Sequence, residues 1–208
     1  MHTLSDPNPD TTAPEATSAS ITMLQQTRMP LIRRLASQDV DAYRAFRLRG
    51  FREYPEAFTS DYEEECTRPA TYAEQRLANP SSDKIWGAFI GTELAGMIGL
   101  NPETRQKNKH KAMLFGMFVA PEFAGRGLGL ALVQVVLADA RKHAIELIVL
   151  MVTEVNKPAT NLYEKCGFSA FGTEPDAIRV GGISYGKTHM SCRLQGGVHS
   201  ALKCAGSA

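Results

Sequence analysis

No apolar run in this sequence approaches the roughly 20 residues that a membrane-spanning helix needs, so no membrane span is expected. Charge of one sign is also missing. The 23 Lys and Arg stand against 22 Asp and Glu and leave a net charge of +1, which gives no global reason to expect nucleic acid or an anionic membrane as partner. Cysteine is sparse and unpatterned. Cys66, Cys166, Cys192 and Cys204 show no C-x-x-C spacing, so each reads as a small buried or neutral residue rather than a metal ligand or redox group. That usage fits a reducing cytoplasm, and the N-terminus has no basic stretch leading into an apolar core, so a secretory signal is not expected. No metal site and no internal repeat are foreseen.

What is present is enough for one domain with a sizeable core. Residues 1–28 are rich in Ser, Thr, Pro, Asp and Ala without hydrophobic periodicity and are expected to be a disordered tail. Residues 196–208 read as a shorter, flexible one, which leaves residues 29–195 as the folded domain. Within it "LIRRLAS" suggests a strand, and "DVDAYRAFRLRGFREYP" a helix with Val40, Tyr43, Phe46, Leu48 and Phe51 on one face and Pro55 as its stop. "SDYEEECTRPATYAEQRLANP" reads as helix in two pieces broken near Pro69. "IWGAFI" and "LAGMIGL" form a hairpin around Gly91, Thr92 and Glu93, and "AMLFGMFVA" makes a further strand. Then come an amphipathic helix over "LALVQVVLADARKHA", with Leu128, Leu132, Val135, Val136 and Ala140 inward, and a continuous apolar run, "ELIVLMVTE", expected to be a strand buried on both faces. Asn156 caps a helix with Pro158 in its first turn that ends at Gly167. Strands around "FSAFG" and "AIRVGGISYGKTHMSCRL" complete a mixed sheet packed by helices.

Two glycine loops compete for a phosphate. "GGISYGKT", Gly181 to Thr188, fits G-x-x-x-x-G-K-[ST], but a phosphate cradle sits between a buried strand and a helix. After Thr188 the side chains alternate instead, with Met190, Cys192 and Leu194 on one face and His189, Ser191 and Arg193 on the other. The stretch therefore reads as a hairpin turn at Gly181-Gly182 and a last strand. "GRGLG", Gly125 to Gly129, lies between a strand and the long helix. It lacks the third glycine of a dinucleotide fingerprint. Its backbone amides, opening a helix with the positive end of its dipole, suit a pyrophosphate, and Arg126 adds a charge; taken alone, the loop is also a plain strand-to-helix turn.

"GMFVAPEFAGRGLGLALV" followed by "VTEVNKPATNLYEKCGF" resembles the GNAT superfamily of acyl-CoA-dependent N-acyltransferases. The first stretch is similar to that family's [QR]-x-x-G-x-[GA] motif after a strand ending in V-x-P, and the second to its N-x-x-A-x-x-L-Y-x-x-x-G-F motif. The resemblance is specific over residues 85–172 and compatible in order over 30–195. It implies an α/β (α+β) fold with a mixed, mostly antiparallel twisted sheet flanked by helices, and acetyl-CoA as acyl donor. The backbone of Met117, Phe118 and Val119 would pair with the pantetheine arm, with an amide near Met117 donating to the thioester carbonyl. The amides of Ala124, Gly125, Arg126, Gly127, Leu128 and Gly129 would hold the pyrophosphate. Asn156 would touch the pantetheine as well as cap its helix. Tyr163 would be the general acid for the departing thiolate, since a phenol near 10 can protonate a thiolate whose thiol titrates near 8.5; the other reading of Tyr163 is packing behind the cofactor.

Two positions depart from the family pattern. Ala124 stands where Gln or Arg is usual, and Met113 where some members carry a glutamate base. The base stays open among Glu154, His110, Glu103 and a water chain. The acceptor, a small-molecule or peptide primary amine, would lie under "REYPEAFTSDYEEE", where Glu56, Phe58, Tyr62 and nearby acids would hold a cation; a solvated face accounts equally for Glu63, Glu64 and Glu65. Three functions follow: N-acetyl transfer by direct attack, a non-catalytic acyl-CoA-binding domain of the same fold, and, far behind, a nucleotide kinase. The resemblance also allows a homodimer.

Overall fold

The structure is a computed structural model that describes residues 29–78 and 83–194; the two tails expected at 1–28 and 196–208 lie outside the described residues. In chain order the elements are β1 (Leu31–Arg34), α1 (Val40–Glu53), α2 (Tyr62–Thr67), α3 (Ala70–Leu77), β2 (Lys84–Ile90), β3 (Glu93–Pro102), β4 (Lys111–Val119), α4 (Leu128–Lys142), β5 (Leu147–Thr153), α5 (Lys157–Lys165), β6 (Ser169–Val180) and β7 (Ile183–Arg193). They form a seven-stranded sheet in the order β1-β2-β3-β4-β5-β7-β6. Every pairing is antiparallel except β4 with β5. This is the mixed, mostly antiparallel sheet flanked by helices that the resemblance implies.

Helix spacing follows the hydrophobic pattern. In α1 Tyr43, Phe46 and Phe51 are buried while Leu48 is half-buried. In α4 Leu128, Leu132, Val133, Val136, Leu137 and Ala140 are buried, and Val135 is half-buried at the stripe's margin. The predicted break near Pro69 is real: Arg68 and Pro69 are both extended and separate α2 from α3. Asp61 caps α2 by accepting from the amides of Glu63 and Glu64 at 2.8 and 3.1 Å. Asn156 caps α5 by accepting from Ala159 N at 3.1 Å, and Gly167 follows that helix at φ +89°.

One strand departs from expectation. β5 is not buried on both faces: Ile148, Leu150 and Val152 point into the core, whereas Met151 is 42% exposed. The cause is its pairing. β4 and β5 run together only from Lys111–Leu147 to Met113–Val149 and then separate, so no continuous parallel sheet sandwiches the rest of the run. The final hairpin is as read. Gly181 and Gly182 turn at φ +56° and +82°, Met190, Cys192 and Leu194 are buried, and Arg193 is exposed. Lys187 thus lies within β7, which runs on to Arg193 as strand where a phosphate cradle would open a helix.

α4 covers one face of the sheet and α1 the other. A Cβ on Gly96 of β3 would meet Leu132 of α4 at 3.1 Å, while a Cβ on Gly50 of α1 would meet the Phe118 ring of β4 at 3.2 Å.

Candidate active site

The site forms where β4 leaves β5. Past Met113 and Val149 the two strands diverge, while β5 stays paired to β7 as far as Thr153–Lys187 and β4 stays paired to β3 as far as Val119–Gly96. The facing edges of Leu114–Val119 and Leu150–Thr153 therefore line a groove with backbone groups outside any ladder. Such an edge accepts an extended amide-bearing chain as an added strand. Within it β4 bulges: Gly116 and Met117 together oppose Ile98, and Gly116 has φ +61°, a conformation that only glycine adopts without cost.

At the groove's end lies the glycine loop. Gly125 and Gly127 sit at φ +74° and +75°, and a Cβ on either would meet nothing within 4 Å. They are glycine for their backbone shape, with open space in front. Gly127 is the N-cap of α4 and brings no side chain to satisfy the first turn, so the amides of Leu128, Gly129 and Leu130 are free for an anion. Gly129 has a different reason: a Cβ there would meet Leu162 at 3.0 Å and Met117 at 3.1 Å. It is the point at which α4, α5 and β4 converge. The Ala124 amide already donates to Pro121 O at 3.0 Å, which leaves Gly125 to Gly129 as the open part of the predicted set. Arg126 turns back onto Glu122 O at 3.2 Å and lies over the Phe123 ring at 5.2 Å. Arg49 of α1 clamps Glu122 bidentately at 2.7 and 2.8 Å, holds its carboxyl down at about 2, and ties the loop's entrance to α1.

Tyr163 is 5% exposed and packs edge-on against Phe168 with ring centroids 5.8 Å apart. Burial pushes its phenol well above the usual value, with Cys166 acting in the same direction. Its neighbour Leu162 and Met117 both crowd Gly129, so α5 stands beside the groove. Met117 and Val119 are half-buried, while Phe118 is buried toward α1, with its ring 4.9 Å from Phe46.

On the α1 face a cleft of about 250 Å³ opens beside the same bulge. Its floor is Ile85, Met97, Gly99, Phe115 and Gly116; its walls come from α1, α3 and the segment Phe58 to Ser60. The sequence placed acids here, and the structure does not. Of Glu56, Phe58 and Tyr62 only Phe58 lines the cleft. Glu56 offers its carbonyl to Thr153 Oγ1 at 2.7 Å, and the Tyr62 ring lies beside Arg52. Glu65, read as part of a solvated face, is buried and ion-paired with Arg47 and with Arg68. The lining charges are Arg47 and Arg76, which are 29 positions apart and converge only in the fold.

None of the proposed bases lines the cleft. Glu103 and His110 sit at the start of β4, where Glu103 N donates to Lys111 O, about 17 Å along the strand from Gly116 at ~3.3 Å per residue. Glu154 accepts from Gly186 N at 3.2 Å. Met113 lies on β4 between Asn101 and Val149 and has no proton to exchange. Lys187 of the last strand supports the cleft wall: it is 5% exposed, and its ammonium donates to Thr59 Oγ1.

The profile of the acetyltransferase (GNAT) family matches residues 48–168, more than half of the chain and the span holding the groove, the glycine loop and Tyr163. A protein named "Probable N-acetyltransferase camello" from Xenopus tropicalis is 30% identical over 84 residues, 40% of this chain and 37% of that one. A mycothiol acetyltransferase from Thermobispora bispora is 26% identical over 137 residues, 64% of this chain and 43% of that one. The chain thus spans less than half the length of these relatives. Among solved structures, a GNAT-family acetyltransferase from Streptococcus pneumoniae superposes with TM-score 0.73 at 22% identity, over 80% of this chain and all of that one. A protein from Salmonella typhimurium determined with its cofactor acetyl-CoA superposes at 0.67 and 16% identity, over 82% and 96%. At these identities the structural likeness concerns the fold, and together with the profile match it places the chain in the acetyltransferase (GNAT) family.

Proposed function

We propose that this protein is an acetyl-CoA-dependent N-acetyltransferase in which a primary amine bound in the α1-face cleft attacks the thioester directly. The observation that carries this reading is the meeting point at Gly116: the acceptor cleft and the β4/β5 groove open onto the same bulge from two sides. The residues present fit acetyl-CoA. Free edges of β4 would take the pantetheine, the amides of Gly125 to Gly129 the pyrophosphate, and the amide of Met117 the thioester oxygen. The names of the relatives, and of an Escherichia coli ribosomal-protein-S18-alanine N-acetyltransferase with the same fold (TM-score 0.65), agree with an amine acceptor. The free thiols of Cys66, Cys166 and Cys192 agree with a reducing compartment.

Tyr163 then serves as the acid. Its raised phenol stays protonated at every working pH. A thiolate whose thiol titrates near 8.5 is the weaker base, so the hydroxyl acts by hydrogen-bonding to the sulfur as charge builds on it, and the proton follows only as the thiolate departs. Tyr163→Phe keeps the ring on Phe168 and removes only the hydroxyl. We expect kcat to fall on the order of 10²- to 10⁴-fold, with the acetyl-CoA-induced rise in melting temperature retained. A ligand at a hundred times its Kd adds about 2.7 kcal/mol. An unchanged kcat would remove Tyr163 from the chemistry, and no stabilisation by acetyl-CoA would remove the enzyme reading.

Met113 and Ala124 favour a second reading, a non-catalytic acyl-CoA-binding domain. It predicts the same stabilisation by acetyl-CoA with no CoA release on any amine.

A further inference from the structure

The electrostatics of the acceptor cleft single out a class of substrate. Three guanidiniums surround the Tyr72 ring: Arg68 at 4.6 Å, Arg76 at 5.7 Å and Arg47 at 5.8 Å. Among the described residues two carboxylates pair with them. Glu65 takes Arg47 and Arg68, and Asp83 takes Arg76 at 2.8 Å while also accepting from Asn101 Nδ2 at 2.7 Å. Glu65 is shared with Arg68, which lies outside the cleft, so Arg47 holds only part of one counter-charge.

Arg47 and Arg76 each line the cleft, whereas Glu65 and Asp83 do not. Each guanidinium is therefore gripped from outside the cleft and keeps donors that the ion pair does not use. Arg47 meets Glu65 through Nη1, and Arg76 meets Asp83 through Nε and Nη2. The two planes are further fixed by stacking, Arg47 over Phe51 at 4.7 Å and Arg76 over Phe115 at 4.9 Å. Rigid guanidiniums with spare N–H groups match a carboxylate. Among the described residues the cleft lining holds no Asp, Glu or His, and a third cation, Lys187, stands directly behind Thr59. A polyamine would meet repulsion here and find no carboxylate to hold it.

We infer that the acceptor is a small amine that also carries a carboxylate, an amino-acid-like molecule whose acid group is held by Arg47 and Arg76 and whose apolar part lies on Phe51, Phe58 and Phe115. A cleft of about 250 Å³ is at the small end for ligand pockets, which run from about 300 to 1,000 Å³, and suits a single amino acid. The inference rests on the reading of this cleft as the acceptor site.

The test is CoA-thiol release from acetyl-CoA with the full-length protein and a matched panel: α-, β- and γ-amino acids, the corresponding amides, and spermidine. The amides keep the amine and lose only the carboxylate. We expect the best amino acid to exceed its amide by at least about tenfold in kcat/KM, because a site built around a charged partner rejects the analogue that lacks it. Arg76→Gln should reduce that preference to below about threefold, mainly through KM, and Arg47→Lys, which keeps the charge and loses the fork, should reduce it in part. The comparison on the unmutated protein stands even if either variant folds poorly. Amides or spermidine acetylated as well as the acids would overturn the inference and leave acetyl transfer standing. No release from any member, with acetyl-CoA still raising the melting temperature, would overturn the acetyl-transfer reading and the inference with it.

Discussion

Lys187→Met tests whether the buried lysine shapes the acceptor cleft at a cost in stability. Lys187 is 5% exposed; its ammonium donates to Thr59, and its cross-strand neighbour Glu174 is itself hydrogen-bonded to His189 at 3.2 Å. Burial holds its pKa below the ordinary 10.5, with Glu174 acting in the opposite sense. Methionine keeps the unbranched stem and removes the charge. The loss is one charge-assisted hydrogen bond, about 1.5–3 kcal/mol. Thr59 is exposed, so its hydroxyl returns to water without a penalty. The gain is the desolvation of an ammonium, several kcal/mol. At pH 7 the variant should therefore lie between equal stability and about 4 kcal/mol more stable.

The pH dependence fixes the cause. Between the folded pKa and 10.5 the native state has released a proton that the unfolded chain still holds, so wild-type stability rises with pH across that window. Any advantage of Lys187→Met should accordingly be largest at neutral pH and shrink toward pH 10, measured by urea denaturation of both proteins in parallel. Functionally, release of the Thr59 wall should raise KM for the acceptor and leave acetyl-CoA binding unchanged. A variant less stable than wild type by more than about 1 kcal/mol at pH 7, or a difference constant from pH 7 to 10, would refute the reasoning.

Gly127→Ala should lower stability by about 1–2 kcal/mol, the left-handed backbone cost alone, because its Cβ meets nothing. The melting temperature should fall by about 2–4 °C per kcal/mol and acetyl-CoA affinity should drop, whereas Gly127→Asn, which tolerates that backbone better, should melt closer to wild type in thermal denaturation. Because among the described residues the cleft lining holds no carboxylate or imidazole, kcat/KM should rise tenfold per pH unit up to the acceptor's own pKa, about 7.7–8.0 for a peptide's terminal α-amine and about 10.4 for a lysine-like one. Two acceptors of different pKa, profiled from pH 6 to 10, should show two different inflections; a common inflection near 6 to 7 would mean an enzyme base.

Much of this site was legible because its signals are local. The caps at Asn156 and Gly167, the turn at Gly181-Gly182 and the alternation after Thr188 each need only neighbours in sequence, and the paired motifs fix the groove and the glycine loop. The errors are all non-local. An apolar run such as "ELIVLMVTE" reads as doubly buried, but whether Met151 is covered depends on where β4 parts from β5. The acids of "DYEEE" read as a cation site or a solvent face, yet Glu65 turns inward because Arg47 of α1 meets it across the fold, joined by Arg68 at the end of its own helix. Gly116 was the one missed signal that the sequence did carry, since a glycine inside a strand pattern marks a bulge or a close approach.

That bulge explains how one strand would serve the two proposed substrates. On β3 Met97 and Gly99 line the cleft, and their partners on β4 are Phe118 and Phe115. Phe115 and Phe118 are three residues apart, so in a regular strand they would point to opposite faces. The extra residue at Gly116-Met117 resets the alternation. Both aromatic rings then fall on the α1 side, one in the cleft floor and the other against Phe46, Tyr54 and Phe58. Met117 is sent the other way, to Gly129 and Leu162. The same irregularity turns the backbone between them out of the ladder, where the proposed thioester amide lies between the acceptor and the groove. The left-handed conformation at Gly116 thus sets which way each neighbouring side chain points, and glycine is the residue that permits it.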